Sequence, residues 1–396
     1  MSERVIRIAA KGDGLTESGR HVAGAVTGDV IAAGGSITAG PHHQSPPCRH
    51  FGRCGGCQLQ HADDAALMQF VTERVCFAAE SHDIAIGELR PTHLSPPWSR
   101  RRATLHGLRT AKGATVGFRE ARSNRIVDMR ECYILDQTLF GLVEPLRKLI
   151  VEYSEQGSLN CSVTMATEGV DCVLTGAFTE GLDAAEALGA FAADNGLARL
   201  AIDHGFGPET IWEPQPVTVM LGGQPVALPA NAFLQPTNDG ERILVADALD
   251  YLEGATIVAD LFAGLGTFSF ALAKQAKVLA VEAASGPHLS CRSAANRSNL
   301  QVHAIHRDLF RNPLLPGELD RFGGLVLDPP RAGAREQIKQ IAQSKVHRVA
   351  YISCNPSSWA RDARMLCNAG FKLKTLRPVG QFRWSTHVEL TSCFER

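Results

Sequence analysis

The chain has 396 residues, 40 of them basic (Lys and Arg) and 41 acidic, with a net charge of −1. That length supports two or three domains with real cores, the charge balance gives no global pull toward a polyanion, and no apolar run reaches the ~20 residues of a membrane span. Eleven cysteines, an odd number, and a start (Met1-Ser2-Glu3-Arg4) without a signal-peptide pattern argue against a disulfide framework and for a reducing, cytoplasmic setting.

Residues 1–44 hold Val5-Ile6-Arg7-Ile8, Gly12-Asp13-Gly14 and the run 22–30, short strands and turns of a small β module. Residues 41–47 read as a linker. Then comes Cys48-x5-Cys54-Gly55-Gly56-Cys57-Gln58-Leu59-Gln60-His61, three thiols within ten residues and glycines that let the backbone fold tightly round them. Such spacing suggests a metal or cluster site closed by a distant fourth ligand, and does not separate zinc from iron–sulfur. Cys132, after the strand-like Arg125-Ile126-Val127-Asp128, is the best fourth candidate, whereas Cys76 falls in an amphipathic helix with Leu67, Phe70 and Val71. Residues 98–131 carry nine basic side chains against three acids, so nine minus three leaves +6 in one segment. That is a phosphate-contacting surface leading straight into Cys132. Residues 45–230 read as a mixed α+β central domain with an alanine-rich helix at 182–195.

From residue 231 the pattern becomes α/β. Ile257-Val258-Ala259-Asp260-Leu261-Phe262 is a buried strand, Ala263-Gly264-Leu265-Gly266-Thr267 a glycine turn, and Phe268, Phe270, Ala271 and Leu272 begin a helix. Further apolar runs end at Glu282, Asp308, Asp328 and Cys354, with a helical stretch around Ile338 and Ile341. Strands alternating with helices predict a doubly wound, Rossmann-like sheet whose ligands lie beyond the strands' carboxyl ends, where these acids fall. The third glycine of a dinucleotide fingerprint is replaced by Ser269, so a nucleoside without phosphates fits better. S-adenosylmethionine (SAM) is such a molecule, and strand-end acids suit its ribose, adenine edge and ammonium group.

Asp328-Pro329-Pro330 resembles the Asp/Asn-Pro-Pro motif of enzymes that methylate amino groups of bases, but Arg331 stands where those have an aromatic to stack on the base. Cys354, in Ser353-Cys354-Asn355-Pro356, points to a different reaction. Carbon 5 of uracil is too electron-poor to take a methyl group unaided, and a thiolate adding to carbon 6 turns it into an enolate. A free thiol of pKa about 8.5 is only about 3% ionised at neutral pH. The helix opening at Pro356 is expected to lower that pKa. Glu389 alternates with Val388 and Leu390 and shares one face of a terminal strand with His387.

These residues resemble the RNA uracil-5-methyltransferases, in particular their iron–sulfur branch acting on 23S ribosomal RNA. The resemblance rests on five blocks in the family's order: Cys48 to Cys57 with Cys132; Phe233-Leu234-Gln235; Asp260 to Phe268; Asp328 to Arg331 with Ser353 to Pro356; and His387-Val388-Glu389. It implies SAM contacts at Gln235, Phe262, Thr267, Glu282, Asp308 and Asp328, a nucleophile at Cys354 and a proton-abstracting base at Glu389. It also implies a [4Fe-4S] cluster on Cys48, Cys54, Cys57 and Cys132. The N-terminal module then looks like a shortened form of the small OB/TRAM-like RNA-binding barrel that often precedes this enzyme. A transfer RNA substrate and a non-catalytic iron–sulfur RNA-binding protein are the alternatives. The expected division is 1–44, 45–230 and a methyltransferase domain at 231–396.

Overall fold

The computed structural model describes residues 2–153, 158–176 and 181–396. Five short strands within residues 3–38 form an antiparallel sheet over Val5, Val22, Ala25 and Ile31. A second, six-stranded sheet spans Arg102–Thr110 to Pro208–Trp212, and the helices Val143–Tyr153 and Leu182–Asp194 pack on it. The alanine-rich helix thus appears where the sequence puts it. Residues 125–128 form no strand; they contribute one bridge, Arg119 to Ile126.

The third sheet carries the strand-end acids. We label its main strands β1 (Ile257–Leu261), β2 (Lys277–Glu282), β3 (Val302–His306), β4 (Gly324–Leu327), β5 (Arg348–Ser353), β6 (Lys372–Gly380) and β7 (Glu389–Glu395). Their order is β3-β2-β1-β4-β5-β7-β6, with β1 to β5 parallel and β7 antiparallel between β5 and β6. Helices α1 (Asn238–Tyr251), α2 (Thr267–Leu272), α3 (Ser285–Arg297), α4 (Arg335–Gln343) and α5 (Pro356–Asn368) cover it. Strands β1, β4 and β5 read as continuous apolar runs because both sheet faces are buried. One face packs Tyr351, Trp359 and Phe394; the other packs Leu244, Tyr251 and Phe268.

The helix Asp64–Glu80 belongs to the first of those cores. Asp63 caps it by accepting from the Ala66 N–H at 2.8 Å, and Leu67, Phe70, Val71, Val75 and Ala78 form its buried stripe. That stripe packs on α5 and β6. The strands Glu88–Leu89 and His93–Leu94 then pair with β6 and extend the sheet, which the sequence did not announce. Among the described residues no helix is long and apolar enough to cross a membrane.

Candidate active site

Parallel strands bring the ends of β1, β2, β4 and β5 to one edge of the sheet, and β7, running the other way, starts there. Asp260, Glu282, Asp328, Cys354 and Glu389 therefore meet along that edge, and Asp308 follows β3. Between β1 and α2 the chain turns on Gly264 (φ +56°) and Gly266 (φ +95°). A Cβ on Gly266 would stand 2.7 Å from the Phe270 ring. Phe262 is also left-handed (φ +66°), a cost that a non-glycine residue bears where geometry matters. Its half-buried ring meets Phe310 at 5.4 Å between centroids.

The acids are held in two ways. Glu282 accepts from the N–H groups of Gly264 (2.8 Å) and Ala284 (2.7 Å), and Asp308 from those of Phe310 (2.9 Å) and Arg311 (3.3 Å). These carboxylates order their loops and keep lone pairs for ligand hydroxyls. Asp260 is buried; Ser269 donates to its Oδ2 at 2.6 Å and its Oδ1 has no partner. Burial raises Asp260 to about 7, and burial with the neighbouring Asp260 does the same to Asp328. Buried acids, one of them with an unpartnered oxygen, fit a cationic ligand, as SAM is. Thr267 opens α2, half-buried, with Gly266 as its cap.

A chain of side chains links two of the acids. Gln235 Nε2 donates to Asp328 Oδ2 at 2.9 Å, and Gln381 Nε2 donates both to Gln235 Oε1 at 3.1 Å and to Glu389 Oε2. Glu389 is 4% exposed, so it is no solvent-facing strand acid. Burial first, then Asp328, pushes its carboxyl up to about 8, against the Gln381 bond. Cys354 follows β5 on a loop tied to Arg331: Asn355 Nδ2 and Ser358 Oγ both donate to the Arg331 carbonyl at 2.9 Å.

The expected lowering of the Cys354 thiol is not found. Burial, Glu389 and Asp328 raise it to about 11, outweighing Arg331 and the local backbone N–H. The helix N-terminus is already occupied, because Asn355 caps α5 by accepting from Ser357 N–H at 3.2 Å. His387 lies against Arg331 (3.4 Å) and the Phe382 ring, and burial lowers it before Arg331 and Arg100 do. Sequence reasoning missed Gln381 and Phe310; a position just beyond β6, opposite the start of β7, was the only signal for Gln381.

Cys48, Cys54, Cys57 and Cys132 line one pocket with Phe51, Phe118, Met129 and Ile134. Burial is the leading cause raising all four thiols, Cys57 to about 12. Among the described residues, no group of three or more His, Cys, Asp or Glu side chains is arranged to hold a metal ion. The loop is anchored: Gly55 N–H donates to the Arg119 carbonyl at 2.9 Å, and Gln58 and Leu59 N–H donate to the Trp384 carbonyl at 2.7 and 2.9 Å. The basic segment is uneven: Arg101 is buried against Glu241 and Asn238, whereas Lys112, Arg119, Arg122 and Arg125 are exposed.

This strand order and this edge of acids define a SAM-dependent methyltransferase domain. The model of the tRNA (uracil-5-)-methyltransferase family matches residues 226–396. An uncharacterized RNA methyltransferase of Zymomonas mobilis is 45% identical over 395 residues, all of both chains. The 23S rRNA (uracil(1939)-C(5))-methyltransferase RlmD of Shewanella is 32% identical, covering 90% of this chain and 83% of its own. In fold, the chain matches the tRNA (uracil-54, C5)-methyltransferase of Pyrococcus abyssi, solved with S-adenosyl-L-homocysteine, at TM-score 0.77 and 20% identity over 100% and 99% of the two chains. The chain belongs to the RNA uracil-5-methyltransferase family and is a SAM-dependent enzyme acting on RNA.

Proposed function

We propose that this enzyme methylates carbon 5 of a uridine in 23S ribosomal RNA, with Cys354 as nucleophile and Glu389 as base. The observation that carries the reading is the meeting of Cys354 with a buried Glu389 linked through Gln381 and Gln235 to Asp328. In this reading the Cys354 sulfur bonds to carbon 6 and the uracil electrons shift to make carbon 5 an enolate carbon. SAM supplies the methyl group and, while bound, a positive charge beside the carboxylates. Glu389 then takes the proton from carbon 5, the freed electrons re-form the 5,6 double bond, and the carbon 6–sulfur bond breaks to return the thiolate. Gln235, Phe262, Thr267, Glu282, Asp308 and Asp328 hold the cofactor.

Carbon 6 is out of a thiol's reach within a helix, so the target is a flipped or unpaired uridine in a loop or bulge, where extrusion costs least. The exposed arginines of the 98–131 segment supply phosphate contacts, alongside the small N-terminal sheet as an OB/TRAM-like module. Cys48, Cys54, Cys57 and Cys132 line one apolar pocket and are the residues that would hold a [4Fe-4S] cluster, although their side chains are not gathered round one ion position here. The methylation has no net redox change, so the cluster's role in this reading is structural or RNA-positioning rather than redox. Iron and sulfide analysis of anaerobically purified protein checks this: about four irons per chain are expected, and zinc would overturn it.

A transfer RNA target is the second reading, favoured by the family model's name. Incubation of unmodified 23S ribosomal RNA and bulk transfer RNA with labelled SAM, followed by nucleoside mass spectrometry, decides between them. 5-Methyluridine in ribosomal RNA is expected. Label only in transfer RNA moves the substrate, and label in an amino-methylated base removes the role given to Cys354.

A further inference from the structure

Gln381 joins Glu389 to Gln235, and Gln235 in turn bonds Asp328. The Gln381 amide has two N–H donors and one strong acceptor, and all three are used. Thr237 Oγ1 donates to Gln381 Oε1 at 3.3 Å, which turns the NH2 group toward Gln235 Oε1 and Glu389 Oε2. The reverse orientation would set the amide oxygen against Glu389 Oε2 and the NH2 group against Thr237 Oγ1, which already donates there. Thr237 is itself fixed, as the α1 cap accepting from Gly240 N–H at 3.1 Å.

Room for this side chain comes from Gly240. A Cβ there would stand 2.4 Å from Gln381 Cγ and Oε1. Gln381 is 2% exposed and also lines a small cavity with Arg100, Phe382 and Ser385, between the cysteine loop and the start of β7. The amide is thus held from the α1 side and presented toward the reacting edge.

We propose that Gln381 is a positioning residue of the methylation site: its amide aims the Glu389 carboxylate and locks Gln235 against Asp328, so that the base meets the adduct as an anion. The inference rests on the reading of Glu389 as base. A carboxyl must be ionised to accept the carbon 5 proton, and an N–H donor favours the ionised form. Asp328 from β4 and Cys354 from β5 face Glu389, and with burial Asp328 opposes ionisation; Arg331 and His387 are the nearby basic groups. Gln381 is the neighbour that favours the anion directly.

Gln381→Leu removes the amide, and Gly240→Ala displaces it without altering it. RNA carrying 5-fluorouridine separates the steps, because after methyl transfer carbon 5 has no proton to lose and the covalent adduct accumulates. In the whole protein, both variants are expected to bind SAM a few-fold more weakly, through loss of the Gln235 lock, and at saturating SAM to form the methylated fluorinated adduct within about twofold of the wild-type rate. Both should turn over ordinary RNA at least about tenfold more slowly, with the half-maximal pH moved upward. An unchanged turnover and pH profile overturns the proposal, as does an adduct rate that falls as far as turnover. Glu389→Gln distinguishes the two levels: if that variant turns over normally the base assignment itself fails, whereas a crippled Glu389→Gln beside a normal Gln381→Leu sinks only this inference.

Discussion

Cys354 shows how a single residue's chemistry depends on what the fold adds to it. Beside a helix N-terminus the sequence predicts an acidified thiol, yet the folded site buries it between Glu389 and Asp328 and raises it to about 11. In the proposed arrangement bound SAM would bring a positive charge to the same carboxylates and make thiolate formation depend on the loaded site. Cys354→Ala should abolish 5-methyluridine while SAM affinity, read by calorimetry, stays within about threefold of wild type; product from that variant would end the nucleophile assignment. The raised acids also set a pH dependence of stability. Glu389 sits at about 8, above the roughly 4.3 of an unfolded glutamate. The folded protein then keeps a proton that the unfolded chain releases. Its stabilisation is complete below the unfolded value and is lost as pH rises toward 8. Asp260 and Asp328, each at about 7, act in the same sense. The melting temperature of the SAM-free protein should therefore fall between pH 5 and 8, and less steeply in Glu389→Gln; a rising Tm over that range would contradict the burial of these carboxyls.

Elements were legible where one local rule decides them. Strands β1, β4 and β5 announce themselves as apolar runs because helices cover both faces, and the Gly264–Gly266 turn is marked by residues that tolerate positive φ. The strand-end acids follow from that topology. What the sequence hides is long-range pairing: Gln235 and Gln381 lie 146 residues apart, and Arg101 reaches Glu241 across 140. Strand Glu88–Leu89 is two residues long, too short for a periodic signal, and exists because β6 offers it an edge. Helix α1 illustrates how local and catalytic demands meet, since Thr237 both caps it and donates to Gln381. Thr237→Val removes the cap and should cost about 1 kcal/mol in urea unfolding, whereas Thr237→Ser should recover most of it. A loss no larger for Val than for Ser would mean that the hydroxyl bond to Gly240 contributes nothing.

At the scale of the whole molecule, the chain between the cysteine loop and the central sheet is built into the catalytic unit. The Asp64–Glu80 helix puts Phe70 and Leu67 into the same core as Trp359 and Phe394, and Glu88–Leu89 and His93–Leu94 close the β6 edge. Arg90 pairs with Asp247 and Asp250, His93 with Asp239, and Arg383 with Asp64. A boundary near residue 230 is therefore crossed by both core and ion pairs. The family model's match begins at residue 226, yet a fragment of residues 231–396 would expose the helix-binding face of α5 and β6 and take Arg90 from Asp247, leaving it Arg377 and Thr391. Exposed apolar area of this kind costs roughly 25 cal/mol per Å² of lost burial, enough to erase the few kcal/mol of a marginal domain. The fragment is expected to show no cooperative thermal transition and to bind SAM poorly. In the full chain Phe70→Ala, far in sequence from every acid of the site, should lose about 3–5 kcal/mol, with tertiary signal from Trp359 and Trp384 melting in the same transition. A fragment that melts cooperatively and binds SAM like the whole protein would show instead that residues 64–95 decorate the catalytic domain without completing it.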